Sequence, residues 1–367
     1  MIIRAASEDG GVQFLDVFFR EGAFWLTDKS GWEVEVECPL DLDAEFSDKQ
    51  FSVFYFSKFN LKENSIYQVV DGLSNKRIGW LIPVAALSSN LHDFSNNPHF
   101  LRYAYKAIEG ALHGVSDDIY TRRPNIVDGR GLLLSDIFHE NTALLVISHE
   151  TLVEGVVFDF LRAVPSFARY GYFPLRESDP TSIDLLVDEP DGDKLKIYLT
   201  SNDLSENKII ESLLLSLASS AKNPVMKFFY LYQIVELLIE RIFALEQRRV
   251  AQYIAAAIDD SAKVKDAIER VQSNLAEKKR LSVLVERYSK VGSDLTDLRI
   301  VCNDLLVALG MEQHPGFESY FYSIRNFIFH QYRNFPDPHL SKLDRVSEEF
   351  LKILPSMLSR FVANQDD

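Results

Sequence analysis

The sequence predicts an α+β protein: a mixed α/β region over residues 1–203, then an all-α helical bundle over residues 204–367. Three observations carry that expectation. Residues 1 to about 90 hold short apolar runs in strand-like alternation, separated by turn chemistry. From Ser205 onward the apolar stretches are long and of helical period, with no strand signal. The charge changes with the grammar, because residues 1–200 carry 18 Lys and Arg against 31 Asp and Glu whereas residues 201–367 carry 21 against 23. At 367 residues, with 47% hydrophobic and 26 Phe, the chain exceeds one ordinary core, so two or three globular domains are expected.

The elements follow in order. Strands are predicted at Gln13–Phe19, Ala23–Thr27, Trp32–Cys38 and Phe51–Phe56, with turns at Glu8-Asp9-Gly10-Gly11 and Asp71-Gly72. Glu33, Glu35 and Glu37 alternate with Val34, Val36 and Cys38, which gives that strand one wet face. Ser95-Asn96-Asn97 is a cap signal for a helix over Pro98–Leu112. Strand-like Gly131–Phe138 and Thr142–Ser148 precede a helix near Thr151–Val164, and Ile183–Val187 and Leu195–Thr200 read as a closing pair. The first region thus divides into a β-rich part to about residue 90 and an α/β part over 91–203. Beyond it, Asn223-Pro224 starts a long apolar helix over Val225–Ile258, Pro fitting the first helical position because its missing N–H has no partner there anyway. Further helices are expected at Ala262–Asn274, Lys278–Lys290, Asp294–Leu309, Gly316–Arg333 and Leu340–Val362, the last kinked at Pro355.

Several chemistries are disfavoured. No apolar run approaches the length of a membrane helix, and Met1-Ile2-Ile3-Arg4-Ala5 lacks the layout of a secretory signal, so a cytoplasmic protein is expected. Cys38 and Cys302 stand far apart without ligand spacing, so neither a disulfide framework nor a zinc site is expected, and no cofactor is implied. His149-Glu150-Thr151-Leu152-Val153 begins like a zinc-protease helix but has Val where the second His must be. His92, His99 and His113 have no ligand spacing, and no phosphate-cradling Gly-rich loop or nucleophile elbow occurs. A net charge of −15 argues against a general nucleic-acid binder, although residues 241–290 form a weakly basic zone of 11 Lys and Arg against 7 Asp and Glu.

The segment that packing alone does not explain is Tyr322-Ser323-Ile324-Arg325-Asn326-Phe327-Ile328-Phe329-His330-Gln331-Tyr332. On a helix, Phe317, Phe321, Ile324 and Ile328 share one stripe, while Tyr322, Asn326, His330 and Arg333 share a stripe roughly opposite, with Phe329 beside it. An aromatic there stays wet unless a second subunit covers it. Arg325 and His330 lie five positions apart, about 140° around an ideal helix. They converge only through an irregular helix, a bent Arg325, or a second copy of the stripe facing the first. A guanidinium grips a phosphate with parallel hydrogen bonds, and imidazole is the side chain best suited to move protons near neutrality.

Arg325-Asn326-Phe327-Ile328-Phe329-His330 resembles the signature of the HEPN superfamily, Arg followed by four to six residues and His, with a polar residue after the Arg. His330-Gln331-Tyr332 is similar to the Arg-x4-His-x-Tyr form of HEPN toxins, in which a partner nucleotidyltransferase adenylylates the Tyr. Phe228-Phe229-Tyr230-Leu231-Tyr232-Gln233-Ile234-Val235-Glu236-Leu237-Leu238 resembles the first HEPN helix of the Apea-like branch, where a Glu faces the motif. The likeness covers residues 205–367. It implies a metal-independent endoribonuclease, a toxin or antiphage-defence effector leaving 2′,3′-cyclic phosphate and 5′-hydroxyl ends. In that implied chemistry His330 is the acid or base, Arg325 clamps the phosphate, and Asn326 binds the phosphate or holds the imidazole. Glu236 pairs with Arg325 or orients His330, and Tyr332 stacks a base or is modified. RNA is then the substrate, a homodimer through the helical domain the assembly, and an antitoxin or regulatory protein the further partner, with the acidic region as sensor, inhibitor or docking module. The alternative from another class is a noncatalytic dimeric adaptor.

Overall fold

The computed structural model describes residues 2–3, 12–46, 50–114, 131–152, 158–175, 189–204, 208–214, 221–256, 260, 262–266, 269, 276–331 and 335–362. The chain divides into two compact units: Met1–Phe160 with Tyr170–Asp184 and Asp188–Ile197, and Leu161–Arg169 with Leu185–Val187 and Tyr198–Asp367.

The first unit contains two sheets. Strands β1 (Ile2–Ile3), β2 (Val12–Arg20), β3 (Ala23–Asp28), β4 (Glu33–Glu37) and β8 (Leu132–Leu133) form one, in that order, with β4 and β8 parallel. Val34 and Val36 are buried and Glu33 and Glu37 exposed, so period-2 alternation separates the faces of β4 as its sequence predicts. The second sheet takes the order β10 (Phe173–Pro174), β5 (Phe51–Ser57), β9 (Thr142–Ser148), β7 (Arg77–Pro83), β6 (Tyr67–Asp71), β11 (Lys194–Ile197), the last pair parallel. Its centre is β9, buried along its whole length, as the unbroken apolar run Ala143–Ile147 requires. Gly79 of β7 faces β9 so closely that a Cβ there would run into the Val146 carbonyl. After a short helix α1 (Val84–Leu87), helix α2 (Pro98–Gly114) starts where Asn97 accepts hydrogen bonds from the His99 and Phe100 amides at 2.9 and 3.2 Å.

Two expectations change here. The Gly131–Phe138 run is only briefly a strand: Asp136 accepts the Leu133 amide at 3.0 Å, and that local bond turns the chain into the short helix α3 (Leu134–Ile137). The helix expected near Thr151–Val164 starts later, as α4 (Phe160–Ala168), after a 3₁₀ turn at His149–Thr151. The expected Glu8–Gly11 turn and Ile183–Val187 strand lie outside the described residues.

Beyond Ile197 no strand occurs among the described residues. The second unit comprises α4 beyond Phe160 and helices α5 (Lys208–Ser212), α6 (Pro224–Ala256), α7 (Glu277–Val283, continued by a π-helical stretch Leu284–Tyr288), α8 (Thr296–Ala308), α9 (Phe317–Gln331) and α10 (Leu340–Ser359). Asn223 caps α6 by accepting the Val225 amide at 2.8 Å. Helix α10 runs on through Pro355 to Ser359. Most of the Ala262–Asn274 helix and the end of the Gly316–Arg333 helix lie outside the described residues. The core is set by stripes of helical period: Phe228, Tyr232, Val235 and Leu238 on α6, Leu298, Cys302 and Leu305 on α8, and Val346, Phe350 and Leu354 on α10. The stripe Phe317, Phe321, Ile324 and Ile328 of α9 is buried among them, with Phe321 in ring contact with Phe317 and Phe350, both at 4.9 Å, and Tyr232 at 5.5 Å.

Candidate active site at Arg325

Because Ile324 and Ile328 turn inward, Arg325 leaves α9 on the flank that meets α6 and α7. Its Nη2 donates to Glu236 Oε1 of α6 at 3.0 Å, and its Nη1 donates to Asn326 Oδ1 at 3.2 Å. Glu277, the first residue of α7, places a second carboxylate oxygen 3.8 Å from Nε, too far for a hydrogen bond, so the buried Nε–H has no acceptor among the described residues. The guanidinium also lies 4.3 Å from the Phe329 ring centroid and 5.7 Å from that of Tyr232. Burial opposes its charge, but the Glu236 hydrogen bond and the Glu277 field more than offset it, so its pKa stands above the ordinary arginine value.

The carboxylates are themselves held. Gln233, one turn before Glu236, donates to its other oxygen at 2.6 Å. Buried Tyr232 donates to Glu277 Oε1 at 2.7 Å, and burial, followed by that bond, pushes the phenol well above its usual pKa and keeps it a donor. Tyr232, Gln233 and Glu236 therefore act from one flank of α6, and Glu277 reaches the same guanidinium from α7.

The structure brings Arg325, Asn326 and Glu236 together. Of the two partners the sequence offers Glu236, it is Arg325 that Glu236 holds. His330 is exposed and makes no hydrogen bond or ion pair with any described residue. With α9 helical from Phe317 to Gln331, five positions put His330 about 140° around the helix from Arg325, and no hydrogen bond joins the two side chains. Tyr332 lies outside the described residues. Nothing in the sequence marks Glu277 as a partner of this site, and the one signal for Tyr232 is its place four positions before Glu236 on the same helix flank.

Next to the cluster, Val225, Met226, Phe229, Ile328 and Phe329 line an apolar hollow of about 220 Å³. Phe329 is 39% exposed there, its ring 5.3 Å from that of Phe229. Among the described residues no group of three or more His, Cys, Asp or Glu is placed to hold a metal ion, and no helix is long and apolar enough to cross a membrane. No protein-family model, curated protein or solved structure matches the chain.

Proposed function

We propose that this protein is a metal-independent endoribonuclease of the HEPN type, a cytoplasmic toxin or antiphage-defence effector, cleaving RNA to 2′,3′-cyclic phosphate and 5′-hydroxyl ends as a homodimer. The observation that carries the reading is the anchored guanidinium. Arg325 has five N–H groups, and Glu236 and Asn326 take one from each terminal nitrogen. That leaves one N–H on each Nη for phosphate oxygens, in a side chain already held by two hydrogen bonds, so little ordering remains to be done on binding. In the reaction, the ribose 2′-hydroxyl loses a proton as it attacks phosphorus, and the 5′-oxygen gains one as it leaves. His330 is the group on this helix able to carry those protons, and Arg325 neutralises the charge that builds on the phosphorane.

The 140° between the two side chains is bridged by a second copy. Phe329 is the exposed aromatic between them, and a second copy seated on this hollow sets its own His330 against the Arg325 of the first. An antitoxin or other regulatory protein then needs only to compete for this face or for the acidic first region.

The test is cleavage of labelled single-stranded RNA in EDTA. His330→Ala and Arg325→Ala should each lower kcat by a factor on the order of 100 or more, with circular dichroism and oligomeric state unchanged. Undiminished cleavage by both variants removes the enzyme reading. The exposed hollow also favours a second reading, a noncatalytic dimeric adaptor. On that reading the same two variants retain full biological function, whereas Phe329→Glu destroys it.

A further inference from the structure

Helix α7 approaches α9 with two consecutive residues that do different things. Glu277 faces Arg325, and Lys278 places its ammonium 5.3 Å from the ring centroid of Tyr322. Lys278 is exposed and forms no ion pair among the described residues. Tyr322 is half-buried, its ring packed against the bundle core, and its hydroxyl bonds to no described residue. Tyr322, Asn326 and His330 are spaced i, i+4 and i+8 along one unbroken helix and so form a single stripe, with the Tyr322 and His330 backbone positions about 12 Å apart.

An unpaired cation beside an aromatic ring is the pair of functions a nucleotide calls for: charge for phosphate, and an apolar platform for base or ribose. We propose that Tyr322 and Lys278 form a subsite for a flanking nucleotide of single-stranded RNA, whose chain runs along α9 past Asn326 to His330. The proposal rests on the nuclease reading and deepens it. A straight helix flank suits an extended strand, and the bases of a duplex are stacked inside it and have no free face to lay on Tyr322. Lys278 moves from the ring to a phosphate, and the ring it leaves takes the base.

The test uses the full chain and a fluorescent single-stranded RNA methylated at every 2′-oxygen, which cannot be cleaved, so binding is read apart from catalysis. Tyr322→Ala should weaken binding about tenfold, while Tyr322→Phe, which keeps the platform, stays within twofold of the parent. Lys278→Ala should lower the slope of log affinity against log salt by about one. The same strand annealed to its complement should bind at least tenfold more weakly. Parental affinity in Tyr322→Ala, equal affinity for the duplex, or no binding of the strand by the parent protein overturns the subsite. Failure of the nuclease reading shows separately, as undiminished cleavage of unmethylated RNA by His330→Ala and Arg325→Ala.

Discussion

Tyr232 is fully buried, yet it carries a hydroxyl, and the bond to Glu277 at 2.7 Å is what makes that tolerable. Glu277 thus has two duties, accepting the phenol and supplying negative charge near Arg325, and two substitutions separate them. Glu277→Gln keeps an acceptor for Tyr232 but removes the charge 3.8 Å from Nε, and should cost about 1 kcal/mol in urea unfolding. Glu277→Ala also strands a buried hydroxyl and should cost about 2–3 kcal/mol. Equal losses would mean the hydroxyl bond contributes nothing. Arg325, Asn326 and Glu236 are visible in the sequence because unusual polar residues interrupt apolar helices. Glu277 is not, because it opens a helix with Glu-Lys-Lys-Arg, and such a first turn ordinarily faces water. Only packing of α7 against α6 and α9 gives it a partner.

Elements whose limits rest on local chemistry follow the sequence closely, and those that rest on tertiary pairing do not. Helix α6 begins at Pro224 because Asn223 satisfies the Val225 amide, a bond between residues two apart. Asn223→Ala should therefore cost about 1 kcal/mol of stability and Asn223→Asp nearly nothing, measured as the shift in urea midpoint at constant slope. A shift below about 0.3 kcal/mol for the alanine variant would leave the start of α6 to packing of Val225 and Phe228 alone. Strands β6 and β7, by contrast, have only the Asp71-Gly72 turn as a sequence signal. β7 is buried along nearly all its length, so it lacks the alternation that identifies a half-wet strand. The apolar run Gly131–Phe138 suits strand and helix equally until Asp136 reaches back to Leu133.

At the scale of the molecule, the change from strands to helices near residue 204 in the sequence is not where the chain's packing changes. Leu161–Arg169 clusters with the helices, although twenty-eight residues that belong mostly to the first unit follow it before Tyr198. The reason lies in backbone and side-chain bonds invisible to periodicity. Thr200 and Arg162 exchange bonds at 2.9 Å between backbones and 2.6 Å from Arg162 Nε to the Thr200 carbonyl. Ser166 Oγ accepts the Tyr198 amide and donates to the Tyr198 carbonyl, both at 2.8 Å, and the Ser201 amide donates to Leu358 of α10 at 3.0 Å. This clasp ties α4 through the 198–201 segment to the end of the bundle, and a fragment cut at residue 205 loses all of it together with buried Leu204. Four of these bonds join parts that the cut removes together, so the bundle itself loses the Ser201–Leu358 bond, a net of about 1 kcal/mol, and the burial of Leu204, about 1.5–3 kcal/mol, together a large share of a domain's stability. Fragment 205–367 should accordingly unfold at lower urea than the helical unit of the full chain, followed by far-ultraviolet dichroism. In the full chain, Arg162→Ala should move the helical transition in the same direction by a smaller amount. Should the fragment unfold at the full-length midpoint, α4 and the 198–204 segment are attachments to the bundle rather than part of its cooperative fold.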